Sequence, residues 1–258
     1  LIPNCPKSTA RAFANELIPP LEAEYAARFG IARYAVFELT REFVSHGEEA
    51  YVRERIEKYY VSNVAEPDIY GLDSLERVIS TALIAINEIG LKRDGVLAIL
   101  LFRFVETDSM TIAEIHDQLG KGVADIISGI SRVHSLYEKT PTVSSENFRN
   151  LLLSFAEDMR VVLIMIADRV AMMRQLKEKP SSMKEVEEAA YLYAPLAHKL
   201  GLYRLKSELE DLSLKFLEHD AYYHIKEKLN ATKQARDQYV ENFIEPIKKR
   251  LQEAGIKF

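Results

Sequence analysis

The sequence predicts an all-α protein, and three observations lead to that prediction. Apolar residues recur at intervals of three and four along nearly the whole chain, which is the spacing of one buried face of a helix. Alternating strand-like segments joined by paired turns are hard to find. The 258 residues, 48% of them apolar, are enough to bury the core of one large domain or of one and a half.

The clearest helix is predicted in the middle of the chain, with an apolar face that extends from Phe148 to Val170. Ser145 stands just before it and supplies the hydroxyl that caps a helix start. The predicted buried face consists of Phe148, Leu151, Leu152, Phe155, Ala156, Met159, Val162, Leu163, Ile166, Ala167 and Val170. We therefore expect an amphipathic helix of several turns with a broad buried face.

Two shorter apolar stripes follow and predict two further helices. The first comprises Val186, Ala189, Ala190, Tyr193, Ala197 and Leu200, and Gly201 closes it at the position where helices commonly stop. The second comprises Leu205, Leu209, Leu212 and Phe216. The polar, helix-breaking stretch from Lys179 to Ser182 precedes both, so we predict one domain over residues 1–179 and a second over 180–258.

Composition excludes several classes of protein. A net charge of -5 gives no general attraction to nucleic acid, and a single cysteine, Cys5, excludes an intramolecular disulfide and a cysteine-based zinc cluster. No apolar run is longer than that from Val96 to Phe102, which is far shorter than the roughly 20 residues that a bilayer requires. We expect a cytoplasmic protein without membrane association.

Two blocks of sequence resemble the long RelA/SpoT homologues, the enzymes that make and degrade (p)ppGpp. Residues Leu100 to Thr107, with Asp158 to Arg169 further on, resemble the hydrolase domain of the HD type. Residues Leu192 to Leu202, followed by Lys206 to Leu212, resemble the start of the synthetase half. The resemblance implies an HD-domain-like helical bundle followed by the helical segment that opens the synthetase domain, with the chain ending before the catalytic sheet.

The same resemblance implies a divalent metal, usually Mn²⁺, held by His and Asp side chains and activating a water for attack on phosphorus. The family's His-Asp pair is Phe102-Arg103 here, and no histidine lies between His46 and His116, where the family has another ligand about two dozen residues upstream of the pair. Phenylalanine has no lone pair and arginine is a permanent cation. Only Asp168 matches a family ligand, so we predict that the Mn²⁺ site is lost.

The acid/base positions implied by the resemblance are also altered. The family's Glu-Asp is Glu106-Thr107, and Asp108 comes one place late, which on a helix turns its carboxylate by about 100°. A family basic residue is Met165, and a family His-Asn is Ala171-Met172. We therefore expect no catalytic residue and treat as vestigial the positions Phe102, Arg103, Glu106, Thr107 and Asp168.

The sequence also predicts the surroundings and roles of individual side chains. Phe102 should fill the volume that a ligand and a metal would occupy, and Arg103 should reach solvent or pair with Asp168 or Glu106. Taken alone, Asp168-Arg169 is also readable as an ordinary ion pair on a helix surface. The predicted role of Met165, Met172 and Met173 is core filling, that of His116, His134, His219 and His224 is a surface or capping role, and that of His198 is packing at the start of the synthetase half.

Three hypotheses on function come from these residues. The first is the regulatory N-terminal part of a (p)ppGpp synthetase (GTP pyrophosphokinase) with an inactive hydrolase site. The others are a divergent hydrolase that uses another metal set, and a module that binds guanine nucleotides without cleaving them. The resemblance implies Mg²⁺ with ATP and GTP or GDP for the synthetase part, and it leaves open the ribosome and tRNA as partners of the full-length protein.

Overall fold

A computed structural model describes residues 43–62, 74–139, 158–176 and 183–253, and contains no strand in these ranges. The prediction of an all-α fold is therefore confirmed for the described part of the chain. The helices are α1 (His46–Ser62), α2 (Ser74–Ile84), α3 (Arg93–Glu106), α4 (Ile112–Leu119), α5 (Lys121–Lys139), α6 (Met159–Gln175), α7 (Lys184–Glu188), α8 (Ala194–Lys199), α9 (Tyr203–Leu217) and α10 (His219–Glu253). Two π-helical turns, π1 (Ala85–Ile89) and π2 (Ala189–Tyr193), extend α2 and join α7 to α8.

The chain forms two compact units, residues 1–212 and residues 213–258. In the first unit α2 packs on α6, α3 packs on α5, and α5 and α3 both contact α6. Helix α6 is buried on nearly all sides, and the predicted core methionines Met165, Met172 and Met173 are confirmed as core residues. Helix α3 is likewise central, because its residues 95–101 are all buried.

The second unit consists mainly of α10. It is a 35-residue helix with several exposed apolar side chains, among them Leu229, Tyr239 and Phe243. None of the helices in the described ranges combines the length and the hydropathy that crossing a bilayer demands.

Local sequence explains where the helices begin and end. Thr111 and Glu114 form a capping box at the start of α4, since each side chain accepts a hydrogen bond from the other's backbone N–H, at 3.2 and 2.7 Å. Asp158 caps α6 by accepting from the N–H of Arg160 at 2.9 Å. Gly201 follows α8 with φ +75°, so the predicted stop is confirmed.

Some predictions concern residues outside the described part. The long central helix is described from Met159 to Gln175, whereas its predicted first part, 148–157, and the cap at Ser145 lie outside the described residues. The predicted domain boundary at residues 179–182 lies outside them too. The first compact unit nevertheless continues to Leu212, so the helices from α7 to the first part of α9 belong to it. The assignment of residues 180–258 to a separate domain stays a prediction.

Candidate functional site

Side chains from four helices of the first unit form a connected group that includes Asp168 on α6: Arg77 binds Asp168 directly, and the charge of His134, which contacts the α3 side chains, acts on it. We call this group the Asp168 cluster; its members are Arg77 of α2, Phe102, Arg103 and Glu106 of α3, His134 of α5, and Asp168. Four of the five positions that the sequence marks as vestigial are Phe102, Arg103, Glu106 and Asp168, and all four are in the cluster. The fifth, Thr107, ends α3, where its hydroxyl donates a hydrogen bond to the Arg103 carbonyl oxygen at 3.0 Å.

Both carboxylate oxygens of Asp168 are held by one guanidinium group. Arg77 Nε donates to Oδ1 at 2.8 Å and Arg77 Nη2 donates to Oδ2 at 2.5 Å. The Thr81 hydroxyl, one turn further along α2, lies 3.4 Å from Oδ1. This two-point arrangement is the strongest geometry available to an arginine and a carboxylate. It joins two residues that are 91 positions apart in the sequence.

The Asp168 carboxylate is kept ionised by its neighbours. Burial by itself raises the pKa of Asp168, but the charge of Arg77 and its hydrogen bonds outweigh burial, and Arg169 and His134 add smaller effects in the same direction. The pKa of Asp168 therefore lies below its ordinary value. An ionised carboxylate in this position already has its counterion.

Phe102 and Arg103, which stand where the family has its His-Asp pair, are both engaged by other side chains. Arg103 Nη1 donates to Glu106 Oε2 at 2.6 Å, so of the two carboxylates predicted for Arg103 the structure selects Glu106. The Phe102 ring meets the His134 ring edge to face, with the centroids 5.0 Å apart. Phe102 is only partly buried, so its ring does not fill an enclosed volume.

The Glu106 carboxylate lies between two basic side chains, Arg103 and His134. His134 Nδ1 lies 3.7 Å from Glu106 Oε1, and Arg103 holds Oε2. The interaction with His134, which is larger than the opposing effect of burial and is aided by Arg103, lowers the pKa of Glu106. The helical offset expected for Asp108 does not apply, because α3 ends at Glu106 and Asp108 lies in the following turn with φ +53°.

The residues of the cluster do not fit a divalent metal ion. The only ligand that matches the family, Asp168, has both oxygens bound to Arg77, and Glu106, the other carboxylate of the cluster, is bound to Arg103. Carboxylate and imidazole ligands would have to be released from these partners before they could coordinate an ion. Within the described ranges no three His, Cys, Asp or Glu side chains are grouped as a metal site would need.

Arg169, the residue after Asp168, faces a different part of the fold. Its Nη2 donates to Glu188 Oε2 at 2.7 Å, its Nη1 donates to the Glu185 carbonyl oxygen at 3.1 Å, and its guanidinium lies 4.7 Å from the centre of the Tyr193 ring. Arg169 and Glu188 are 8% and 4% exposed. The reading of Asp168-Arg169 as a surface ion pair is therefore wrong, since each residue has its own partner on another helix.

Two members of the cluster were not predicted from the sequence. His134 was expected at the surface, and although it is half-exposed, it contacts Phe102 and Glu106. Arg77 was not singled out at all. Arg77 lies about two dozen residues before Phe102, near the position where the family has a histidine, and this spacing is the feature of the sequence that points to it.

Comparisons with known proteins agree with this architecture. The sequence profile of the HD domain family matches residues 59–203. The bifunctional (p)ppGpp synthase/hydrolase SpoT of Escherichia coli strain K12 is 34% identical over 172 residues, which are 66% of this chain and 24% of that protein. A GTP pyrophosphokinase of Myxococcus xanthus is 31% identical over 179 residues, 67% of this chain and 24% of that protein.

The GTP pyrophosphokinase of Escherichia coli strain K12 is 31% identical over 173 residues, 64% of this chain and 23% of that protein. The chain thus spans about a quarter of the length of the relatives that it matches. The profile match covers more than half of the chain, and it includes all four helices that form the Asp168 cluster. The chain therefore belongs to the HD domain family and is homologous to the (p)ppGpp hydrolases and synthetases of the SpoT/RelA family.

Proposed function

We propose that this chain is the regulatory N-terminal part of a (p)ppGpp synthetase whose hydrolase site has been inactivated. The observation that carries the proposal is the pair of side chains that α3 contributes to the cluster, Phe102 and Arg103. Where a hydrolase would present a metal-binding pair, α3 presents the Phe102 ring packed on His134 and the Arg103 guanidinium bound to Glu106. Neither side chain can bind a metal ion or activate a water.

The regulatory part of the proposal rests on the position of Arg169. This residue joins α6, which carries Asp168, to α7 and to π2, whose last residues, Leu192 and Tyr193, begin the block that resembles the synthetase half. A ligand or partner that binds one side of α6 differently in two states would shift the equilibrium on the other side as well. The full-length protein would transfer pyrophosphate from ATP to the 3′-hydroxyl of GTP or GDP with Mg²⁺.

In this proposal the cluster residues act by holding the site closed. Arg77 and Arg103 neutralise the two carboxylates, Asp168 and Glu106, that could otherwise bind an ion or take up a proton. The Phe102 and His134 rings meet edge to face. The pocket chemistry of a hydrolase is thus replaced by two internal ion pairs and one aromatic contact.

The test measures both activities. The purified chain is incubated with ppGpp and MnCl₂, with Escherichia coli SpoT assayed in parallel, and we expect no release of pyrophosphate above a buffer blank. Manganese-dependent release that Asp168→Ala abolishes would overturn the proposal, because the site would then be an active hydrolase.

The second arm uses a full-length protein that contains this chain. We expect Glu188→Gln to change the rate of (p)ppGpp synthesis, while Arg53→Met, which removes an ion pair within α1, leaves the rate unchanged. If both variants synthesise like the wild type, the regulatory part of the proposal is wrong. Stabilisation of the chain by ppGpp without cleavage would favour the nucleotide-binding module instead.

A further inference from the structure

The Arg77 guanidinium occupies the coordination positions of Asp168, and this contact has a structural consequence. We propose that Arg77 is a tethered cation that replaces a divalent metal as the link between α2 and α6. This inference rests on the proposed loss of hydrolysis and adds what holds the site together without an ion. A metal ion in such a site joins ligands from separate helices at one point, and Arg77 does the same through a covalently attached charge.

The geometry suits this role. The planar fork of arginine presents parallel N–H groups that match the two oxygens of a carboxylate, which a lysine cannot do. Arg77 and Asp168 meet at 2.8 and 2.5 Å, and the Arg77 side chain is only 19% exposed. Thr81 is tied to the same point, because its hydroxyl donates to the Arg77 carbonyl oxygen at 2.8 Å.

The packing also places the pair where a link matters. Helices α2 and α6 form the most extensive helix pair of the described bundle, and the ion pair lies beside buried residues of both helices, namely Thr81 and Ala82 of α2 and Ala167 of α6. The Asp168 side chain is 38% exposed, so water still hydrates part of the carboxylate, and the two-point contact with Arg77 neutralises its charge where α2 packs on α6. Arg77 therefore does what a bound ion would do, and it is present in every folded molecule.

The electrostatic surroundings oppose replacement of Arg77 by an ion. Arg169 and His134 both lie close enough to Asp168 to stabilise its negative charge. An incoming Mn²⁺ would have to displace a guanidinium that cannot diffuse away, and it would meet further positive charge. The site is thus expected to be insensitive to divalent ions.

The experiment measures thermal unfolding of the chain in EDTA and in millimolar MnCl₂. We expect the same Tm for the wild type in both. Arg77→Met and Asp168→Asn should each lower the Tm by several degrees, and the double variant should lose clearly less than the sum of the two, since the two side chains act as one unit. Arg77→Lys, which keeps the charge and loses the fork, should fall between the wild type and Arg77→Met and serves if Arg77→Met does not fold.

The matched control is Lys206→Met, which removes an ion pair of the same 2.5 Å length between neighbouring turns of α9 and should change the Tm little. The inference is overturned if EDTA lowers the Tm of the wild type, if Mn²⁺ raises it in a saturable way, or if the losses in the double variant simply add. Additive losses in a chain without hydrolase activity would contradict this inference and leave the proposed function standing, whereas Mn²⁺-dependent hydrolysis would overturn both.

Discussion

Asp168 and Arg169 are neighbours in the sequence and belong to two different interaction networks. Successive residues of an α-helix point about 100° apart, so the two side chains leave α6 in different directions. Asp168 reaches Arg77 of α2, and Arg169 reaches Glu188 of α7. The first contact closes the cluster, and the second holds α7 and π2 against α6.

Removing one partner of the buried Arg169–Glu188 ion pair should destabilise the first unit more than removing one partner of an exposed ion pair. We expect Arg169→Met to lower the free energy of unfolding by about 3–5 kcal/mol, because it leaves the buried Glu188 carboxylate without its counterion. Burial already raises the pKa of Glu188 against the influence of Arg169. Urea unfolding followed by circular dichroism measures the change.

The control for this prediction is Arg103→Met, which removes a more exposed pair with Glu106 and should cost about 0–1 kcal/mol. A second check is the double variant Arg169→Met with Glu188→Met, which should recover part of the loss because no uncompensated charge remains. Equal losses for Arg169→Met and Arg103→Met would contradict the prediction.

At the residue scale, the sequence was sufficient for those members of the cluster that a family pattern marks. Phe102, Arg103, Glu106 and Asp168 were identified in that way, and all four lie in the cluster. Arg77 was not, because the partner of Asp168 is 91 residues away and the pairing depends on how α2 packs on α6. Spacing along one chain does not reveal such a contact.

The π-helical turn π2 explains why α-helical spacing predicted only part of the buried face between Val186 and Leu200. Of the predicted stripe, Val186, Ala189, Tyr193 and Ala197 are buried, whereas Ala190 and Leu200 are only partly so. The buried apolar residues that were not predicted are Leu192, Ala194 and Leu196, and Glu188 is buried as well. A π turn holds one more residue than an α turn, so the phase of the pattern changes across π2 and a single period cannot follow it.

The close contact between α5 and α6 gives a prediction about one glycine. A Cβ on Gly129 would lie 2.6 Å from Cγ2 of Val161, which is fully buried and, being β-branched, has few rotamers available. Gly129→Ala should therefore be destabilising on balance: overpacking costs about 1–3 kcal/mol, and the better helix propensity of alanine returns only about 1 kcal/mol. Chemical unfolding measures the difference.

The matched control is Gly47→Ala in α1, where a Cβ would meet nothing within 4 Å. This variant should be neutral or stabilising by up to about 1 kcal/mol, since only the helix propensity changes. If both glycine variants are stabilising, α5 and α6 are not packed as closely as described.

For the whole molecule, the ion pairs between helices predict how the first unit responds to acid. Glu48 of α1 receives hydrogen bonds from Arg93 of α3 and from Ser45; the bond from Arg93 is the main cause and outweighs burial, and together they lower the pKa of Glu48 to about 2. The pKa values of Glu106, Asp158 and Asp168 are lowered as well. A carboxylate with a lowered pKa stabilises the folded state above its unfolded pKa, and this contribution is lost as the pH falls.

We therefore expect the free energy of unfolding to decrease as the pH falls from about 4.5, the unfolded pKa of Glu48, toward about 2. Glu48→Gln should be less stable than the wild type at pH 7, and most of the difference should disappear between about pH 4.5 and pH 2, because near pH 2 Glu48 is protonated in the unfolded state and about half protonated in the folded state. Urea unfolding of the two proteins at several pH values tests this. A difference that stays constant over the range would show that Glu48 contributes through packing alone.

The larger organisation was predictable in part. The helical class and the two blocks were visible in the sequence, but packing groups α7, π2, α8 and the first part of α9 with the bundle up to Leu212. Arg174 of α6 illustrates the reason, since it donates to Glu88 of π1 at 2.8 Å and to Glu208 of α9 at 2.6 Å. Such contacts join residues on either side of the polar stretch near residue 180, and no local sequence pattern predicts them.

The two anchored faces of α6 restrict the ways in which this helix can move. Rolling about its axis would pull Asp168 from Arg77 or Arg169 from Glu188, and sliding by one turn, about 5.4 Å, would break both contacts at once. Rotation and translation of α6 against its neighbours are therefore not independent degrees of freedom. If both contacts are kept, a shift of α6 has to be matched by α2 on one side and by α7 and π2 on the other.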